Sequence, residues 1–134
     1  LKHELQQFIS KNNINAVIHP PLPYQQMPSV YAQADLIVFP SLWPEPFGRI
    51  AIEAMAAGKP VIGSEIGGIS ETIKKGVGLL FKPNNVEDLR NKIIELLKNK
   101  RLKEKLTKEG PKMSREYEES IIIKKLIDEY KKYC

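Results

Sequence analysis

Four short apolar runs, separated by segments of helical periodicity, constrain the fold of this chain more than any other feature. They cover residues 16–19, 36–39, 60–63 and 78–81, and Pro or Gly lies at or beside an end of each. Runs of this kind are typical of buried strands. Strands that alternate with helices are joined by crossover connections and pair in parallel. The pattern therefore predicts an α/β fold, in which ligands bind beyond the carboxyl ends of the strands.

Apolar residues at three- and four-residue spacing predict the helices. We expect helices over residues 1–10, 28–34, 48–57, 86–109 and 122–130. Gly58 is predicted to end the third helix, since glycine is the usual residue just past a helix C-terminus. Asn85 is predicted to cap the fourth helix, and Gly110 with Pro111 is predicted to break it.

The size and composition of the chain predict one folded domain. Its 134 residues are too few for two domains, and 42% of them are hydrophobic and 28% charged, as in ordinary globular proteins. The single cysteine, Cys134, allows no internal disulfide. There is no apolar run of membrane-spanning length and no basic-then-apolar start like that of a signal peptide. These features together favour a cytoplasmic protein.

The net charge of +5 comes mainly from lysines after Lys98, which are interleaved with acidic residues. A solvated helix surface is the favoured interpretation, ahead of a nucleic-acid-binding patch. The same lysines also suit peripheral contact with an anionic membrane surface.

The loop after the second predicted strand has the features of an anion-binding site. Residues 40–49 run from the strand to the next predicted helix and contain Gly48. At such a junction the free backbone amides and the positive end of the helix dipole point the same way, so a diphosphate would fit there. Glycine would let a ligand approach the backbone closely, although a simple turn explains Gly48 equally well.

Two carboxylates lie on either side of this junction. Glu45 precedes the helix, and Glu53 lies within it in an otherwise apolar segment. A carboxylate in such a segment requires a partner, and ribose hydroxyls are suitable ones. The helix rises roughly 7 to 8 Å from Gly48 to Glu53, a distance similar to that between a diphosphate and a nucleoside's ribose. The alternative is that Glu53 only pairs with Arg49, four residues earlier.

The residues around these carboxylates resemble a known family. Residues 45–62 read EPFGRIAIEAMAAGKPVI and are similar to the Glu-x7-Glu motif of the retaining GT-B glycosyltransferases of family 4, also called group 1. Residues 31–35, 40–41 and 67–71 match further motifs of that family in the same order. The resemblance implies a Rossmann-like parallel sheet with flanking helices, as in the C-terminal, nucleotide-sugar-binding domain of the GT-B fold.

The resemblance also implies roles for individual residues. Glu45 would lie at the reacting face of the donor sugar as the catalytic carboxylate, and Glu53 would hold the ribose hydroxyls. Gly67 and Gly68 would shape a second loop near the donor, although either also suits a plain tight turn. Backbone amides would meet the sugar hydroxyls and the diphosphate at Phe47, Gly48, Arg49 and Ile50. The base would lie near residues 20–22, where this chain has prolines in place of the family's glycine.

Several parts of the family pattern have no counterpart in this sequence. The first strands of the nucleotide-binding domain, its diphosphate-binding Gly-Arg and Lys residues, and the N-terminal acceptor domain are all missing. We therefore expect residues 1–134 to form a single, partial nucleotide-sugar-binding domain that is inactive alone. No Asp-x-Asp pair occurs, so a divalent-metal diphosphate clamp is not expected. The resemblance implies no cofactor, with the nucleoside diphosphate sugar as a substrate.

The predicted function is transfer of a sugar from a nucleoside diphosphate sugar, with retention and without a metal, to a sugar or lipid-linked acceptor. Two alternatives remain open. One is a nucleotide-sugar epimerase with the same architecture, and the other is a non-catalytic module that binds nucleotide sugars.

Overall fold

Three of the four predicted strands form one parallel sheet. The computed structural model describes residues 1–73 and 76–133, so Cys134 lies outside the described residues. The strands pair in chain order as β1 (Ile37–Phe39), β2 (Val61–Ser64) and β3 (Leu79–Phe81). Ile37 pairs with Val61 and Ile62 with Leu79, both in parallel register. The predicted α/β fold with a parallel sheet and flanking helices is therefore confirmed.

Helices flank the strands largely where the sequence predicts them. They are α1 (Lys2–Lys11), α2 (Met27–Gln33), α3 (Arg49–Ala56), α4 (Gly68–Thr72), α5 (Val86–Lys98), α6 (Lys100–Ser114) and α7 (Glu119–Tyr130). Short 3₁₀ turns at Tyr24–Gln26 and Arg115–Tyr117 precede α2 and α7. Gly58 follows α3 with a φ of 66°, as predicted for a helix stop. The Asn85 side chain accepts a hydrogen bond from the Asp88 amide at 2.9 Å, which confirms it as the cap of α5.

Helices cover the sheet on both faces. Successive side chains of a strand point in opposite directions, so neighbouring residues of β2 pack into different clusters. Val61 packs into a cluster that includes Met55 of α3 and Ile69 of α4. The next residue, Ile62, packs into a second cluster with Leu96 of α5 and Leu106 of α6. Each of these side chains is almost fully buried. Helix α3 is thus held against the sheet, and the loop of residues 40–48 joins it to β1.

The predicted strand at residues 16–19 is wrong. These residues form irregular chain, and Val17 is 75% exposed. A strand is held by hydrogen bonds to a neighbouring strand, and no strand of the described residues pairs with this segment.

The predicted break at Gly110 and Pro111 is also wrong, because α6 continues through both residues to Ser114. The apolar face divides instead at Asn99, whose side chain accepts the Leu102 amide and so starts α6 as a new helix. Gly110 is buried where α6 crosses α3, and a Cβ there would be 3.4 Å from Met55 atoms. Packing against α3 therefore outweighs the local preference of proline to end a helix.

The lysines of α6 are partly paired with carboxylates. Lys103 lies 3.0 Å from Asp35, Lys112 2.7 Å from Glu109 and Lys100 3.9 Å from Glu104. This arrangement supports the interpretation of α6 as a solvated surface. None of the helices in the described part of the chain has the length and hydropathy needed to cross a membrane.

Candidate functional site

The N-terminus of α3 begins without a side-chain cap. Gly48 occupies the cap position in the left-handed conformation, with φ 74° and ψ 45°. A side chain there would be strained, and a Cβ would also lie 3.3 Å from the Ile69 side chain. The amides of Arg49 and Ile50 in the first turn have no acceptor within the helix. The positive end of α3 therefore presents backbone donors that suit an anion.

A second loop packs against the residues that precede α3. The Gly68 amide donates a hydrogen bond to the Glu45 carbonyl oxygen at 2.7 Å. A Cβ on Gly67 would lie 2.7 Å from that same oxygen, and a Cβ on Gly68 would overlap the Pro46 carbonyl. Both glycines are thus required for close contact between the two loops. Because the Gly68 amide is already used, these glycines shape the site by positioning residues 44–47.

The side chain of Glu45 lies at this loop contact and is half-buried. Its Oε1 accepts a hydrogen bond from the Ser41 hydroxyl at 3.1 Å. Oε2 has no protein donor among the contacts of the described residues. Glu45 is therefore oriented by one neighbour and keeps capacity to accept further hydrogen bonds.

Phe47 connects the same loop to distant parts of the chain. Its carbonyl oxygen accepts a hydrogen bond from the Thr72 hydroxyl of α4. Its half-exposed ring meets Tyr117 edge to face, with 5.5 Å between the ring centroids and 79° between the planes. The backbone just before Gly48 is held from both sides by these contacts.

Glu53 receives three side-chain donors. The Tyr31 hydroxyl donates to Oε2 at 2.8 Å, and the Tyr24 hydroxyl donates to Oε1 at 3.2 Å. Nε of Arg49 also lies 3.2 Å from Oε1, which is the ion pair expected from the four-residue spacing. The Glu53 side chain is 19% exposed. Burial, together with the hydrogen bond to Glu53, raises the pKa of the Tyr31 hydroxyl above its ordinary value of 10.0, so Tyr31 remains a donor into the alkaline range.

A cavity of about 450 Å³ lies beside Glu53. It is lined by Tyr24, Gln25, Met27, Pro28, Tyr31, Glu53, Ala56 and Ala57. The volume falls within the range of roughly 300 to 1,000 Å³ found for small-molecule sites, and the lining is apolar apart from a few polar groups. The arrangement suits a ligand with an apolar or aromatic part and hydroxyls that reach the carboxylate.

Comparison with known proteins identifies the family. Residues 1–113 match the family described as glycosyl transferases group 1. The chain belongs to this family. A relative from Methanocaldococcus jannaschii, named as an uncharacterised glycosyltransferase, is 34% identical over 119 residues, which are 87% of this chain and 34% of the relative.

Solved structures of similar fold agree with this assignment. HepE from Anabaena, in complex with UDP and glucose, superposes with a TM-score of 0.82 at 27% identity, over 98% of this chain and 36% of HepE. Sucrose-phosphate synthase from Thermosynechococcus elongatus gives a TM-score of 0.81 at 26% identity, over 98% of this chain and 35% of the synthase. The fold is that of the C-terminal domain of a GT-B glycosyltransferase, as the sequence predicts. The chain spans about a third of the length of each of these proteins.

The structure of this group 1 chain places the predicted site residues in two groups. The first group, at the start of α3, contains Glu45, Phe47, Gly48, Gly67 and Gly68. The second joins the side chain of Arg49, the first residue of α3, to Glu53 one turn later. Ile50 lies in the first turn of α3 and is exposed.

The predicted base-binding loop lies beside a different cavity. Pro20 and Leu22 line a space of about 600 Å³, and Met27 lines both this cavity and the one beside Glu53. A site for the base near residues 20–22 therefore stays a prediction. Within the described residues, no three His, Cys, Asp or Glu side chains converge in a way that would hold a metal ion.

Sequence analysis missed the two tyrosines that hold Glu53 in this family member. A signal for them was present, since Tyr24, Met27 and Tyr31 are spaced at i, i+3 and i+7. That spacing places three side chains on one helical face. Their partner is 22 and 29 residues away in sequence, so local patterns do not reveal it.

Proposed function

We propose that this chain binds a nucleoside diphosphate sugar and forms the donor half of a glycosyltransferase that transfers the sugar with retention and without a metal ion. The observation that carries the proposal is the pairing, on one helix, of an uncapped N-terminus with a carboxylate that opens onto a cavity. Membership of the group 1 family and the similarity to HepE, whose structure contains UDP and glucose, support it.

The spacing along α3 fits the parts of such a donor. Glu53 lies five residues beyond Gly48, a rise of roughly 7 to 8 Å. The ribose hydroxyls would bind the Glu53 carboxylate, and the base would enter the adjoining cavity or, on the other side of Met27, the space beside residues 20–22. The diphosphate would then reach the amides at the start of α3. Hydrogen bonds to the diphosphate and to the sugar hydroxyls would come from the backbone amides of Phe47, Gly48, Arg49 and Ile50. Gly67 and Gly68 hold the loop that carries Glu45 in place.

The chemistry proposed for this site is electrostatic. The bond between the anomeric carbon and the diphosphate oxygen breaks with its electron pair, and the diphosphate leaves with added negative charge. The positive end of α3 stabilises that charge. The acceptor hydroxyl forms the new bond on the same face, and its proton passes to the departing diphosphate. Glu45, half-buried beside the loop, stabilises the positive charge that develops on the sugar ring.

The acceptor is proposed to bind to a different part of the complete protein. Because the chain spans about a third of its relatives, we propose that an N-terminal domain binds a sugar or lipid-linked acceptor. On this proposal the 134-residue chain alone shows no turnover. A cytoplasmic location, with peripheral membrane contact through the lysines after Lys98, is part of the same proposal, and sedimentation with anionic liposomes tests that contact.

Calorimetric titration of UDP-, GDP- and ADP-sugars against the complete protein tests donor binding. The product is then analysed by NMR for its anomeric configuration, with and without acceptor, in the presence of EDTA. Transfer with retention that survives EDTA is the expected result. An inverted product, or activity that EDTA abolishes and magnesium or manganese restores, contradicts the proposed mechanism. Sugar isomerisation without an acceptor indicates an epimerase, and bound but unchanged donor indicates a binding module.

A further inference from the structure

The two oxygens of the Glu53 carboxylate have different kinds of partner. Oε2 is bound by Tyr31, whose side chain is 6% exposed. Oε1 is bound by Tyr24 and Arg49, which are 61% and 73% exposed. The partner of Oε2 is therefore a residue of the core, and the partners of Oε1 are exposed residues.

The contact with Tyr31 is fixed by burial. The Tyr31 ring belongs to the same core cluster as Ala51 and Met55 of α3, so it cannot leave without disrupting the core. Its hydroxyl donates to Oε2 at 2.8 Å. Tyr31 also lines the cavity beside Glu53, so it is the packing of its ring that fixes this contact. The hydrogen bond from Tyr31 therefore fixes the orientation of the Glu53 carboxylate and occupies Oε2.

The contacts to Oε1 are easily exchanged. The Arg49 guanidinium carbon lies 5.4 Å from the centre of the Tyr24 ring, so these side chains form a stacked pair over the carboxylate. The two donors to Oε1 are exposed side chains, and water or a ligand can replace such donors at little cost. Tyr24 also lines the cavity beside Glu53, which places its hydroxyl where a ligand would enter.

We propose that Tyr31 is a positioning residue that presents Oε1 of Glu53 to the ribose of the donor, and that the Tyr24 hydroxyl occupies Oε1 until the ribose displaces it. The inference rests on the proposed function and adds two residues to the donor site. Tyr31 and Tyr24 make similar contacts with one carboxylate, yet they have opposite effects on binding. Tyr31 supports recognition of the ribose hydroxyls, whereas Tyr24 competes with them.

The test uses the complete protein and two probes. One probe is the nucleoside diphosphate that binds most tightly among UDP, GDP and ADP, and the other is its 2′,3′-dideoxy form. The Kd of the dideoxy form divided by the Kd of the ribose form measures recognition of the ribose hydroxyls. Tyr31→Phe is expected to lower this ratio by about fivefold or more, since the carboxylate loses its fixed orientation. Tyr24→Phe keeps the ring over Arg49 and is expected to tighten the ribose form by about two- to fivefold, with the dideoxy form unchanged.

A double-mutant cycle separates positioning from a merely structural role. If Tyr31 acts through Glu53, then Tyr31→Phe has no further effect on the ratio once Glu53→Gln is present. Tyr130→Phe, at an exposed tyrosine of α7, is the matched control and leaves both Kd values unchanged. Thermal unfolding of each variant checks that it is folded. If Tyr31→Phe does not fold, the tightening by Tyr24→Phe still tests the competition.

Failure of the inference differs from failure of the proposed function. If UDP, GDP and ADP all fail to bind the wild-type protein, the proposed function is wrong and the inference falls with it. If one of them binds but the folded Tyr31→Phe variant keeps the wild-type ratio, only the positioning role of Tyr31 is wrong. Unchanged or weaker binding of the ribose form to Tyr24→Phe overturns the competition by Tyr24.

Discussion

The two ends of the candidate site on α3 are built in different ways. At the start of the helix the site consists of backbone amides, and glycines at positions 48, 67 and 68 bring two loops into contact. At Glu53 it consists of side chains, with three donors around one carboxylate. A main-chain site depends on the path of the backbone, whereas a side-chain site depends on which residues are present.

This difference predicts how each end responds to substitution. Backbone amides are unaffected by changes of side chain unless the loop itself moves, and a Cβ at a close contact moves the loop. Individual side-chain contacts are changed one at a time and have graded effects on ligand binding. We call the start of α3 the first region and the surroundings of Glu53 the second region. A substitution at a close backbone contact in the first region is expected to abolish its function at once, whereas substitutions in the second region are expected to weaken ligand binding by degrees.

The largest expected effect comes from Gly68→Ala in the first region. The new Cβ would overlap the Pro46 carbonyl and lie 2.8 Å from the Phe47 amide nitrogen, and these backbone atoms cannot turn aside as the end of a flexible side chain can. We expect a loss of about 3 kcal/mol or more in the free energy of unfolding, measured by urea denaturation, together with loss of transfer activity. Gly110→Ala is the matched control.

That control separates steric overlap from the general effect of replacing glycine. A Cβ on Gly110 meets Met55 at 3.4 Å, an ordinary contact, and alanine favours the helix by about 1 kcal/mol. Gly110→Ala should therefore leave stability unchanged or slightly increased. If Gly68→Ala proves as stable as Gly110→Ala, the two loops do not depend on close backbone contact.

Glu45→Gln tests the side chain that the first region carries. If Glu45 stabilises charge on the reacting sugar, kcat should fall by roughly ten- to a thousandfold, or about 1.4 to 4 kcal/mol, with little change in donor affinity. A carboxylate that only complements the helix dipole contributes less than about 1 kcal/mol of stability and leaves kcat unchanged. Wild-type kcat in a folded Glu45→Gln variant would show that the catalytic role is wrong.

Glu53→Gln applies the same change to the second region. Ribose hydroxyls keep the same charge throughout the reaction, so the donor KM should rise by about tenfold while kcat stays within about twofold. Glu104→Gln, at an exposed position on α6, controls for the loss of one negative charge. A large fall in kcat with unchanged KM would mean that Glu53 acts on the reacting atoms and that the two regions are not distinct.

The smallest effect concerns the stability of the second region at high pH. Burial and the contact with Glu53 raise the pKa of Tyr31 in the folded protein, whereas its pKa in the unfolded chain is about 10. The stabilisation is complete below pH 10. Above it the unfolded chain loses the proton first, so stability falls by up to about 1.4 kcal/mol per pH unit.

The measurement compares wild type with Tyr31→Phe in urea at pH 8 and at pH 11. Other groups that titrate in this range are shared by both proteins, so the difference in stability between them isolates Tyr31. We expect that difference to shrink at pH 11. A constant difference would indicate that the Tyr31 hydroxyl is not protected in the folded protein.

The first region was largely predictable from sequence because its signals are local. A strand, a loop containing Gly48 and a helix follow each other within 20 residues, from 37 to 56. The second region was only half predictable. Arg49 and Glu53 are neighbours on one helix, but Tyr24 and Tyr31 reach Glu53 only after the chain has folded back through β1.

The two errors in the fold have the same origin. Residues 16–19 have the composition of a strand, but composition does not supply the neighbour that a strand needs. Gly110 and Pro111 have the composition of a helix end, but α6 is held there by its contact with Met55. Both outcomes depend on packing between segments that are distant in sequence, which short-range patterns do not contain.

The contacts of Phe47 limit how this site can be exchanged between proteins. Its carbonyl oxygen accepts a hydrogen bond from Thr72, and its ring packs against Tyr117. The loop before α3 therefore depends on residues that lie 25 and 70 positions further along the chain. If two such domains were recombined at any point from residue 48 to residue 116, Phe47 would meet the residue that the other protein has at position 117 in place of Tyr117. Chimeras of related domains would therefore need to transfer the whole stretch together, and the loop before α3 would evolve jointly with the 3₁₀ turn that follows α6.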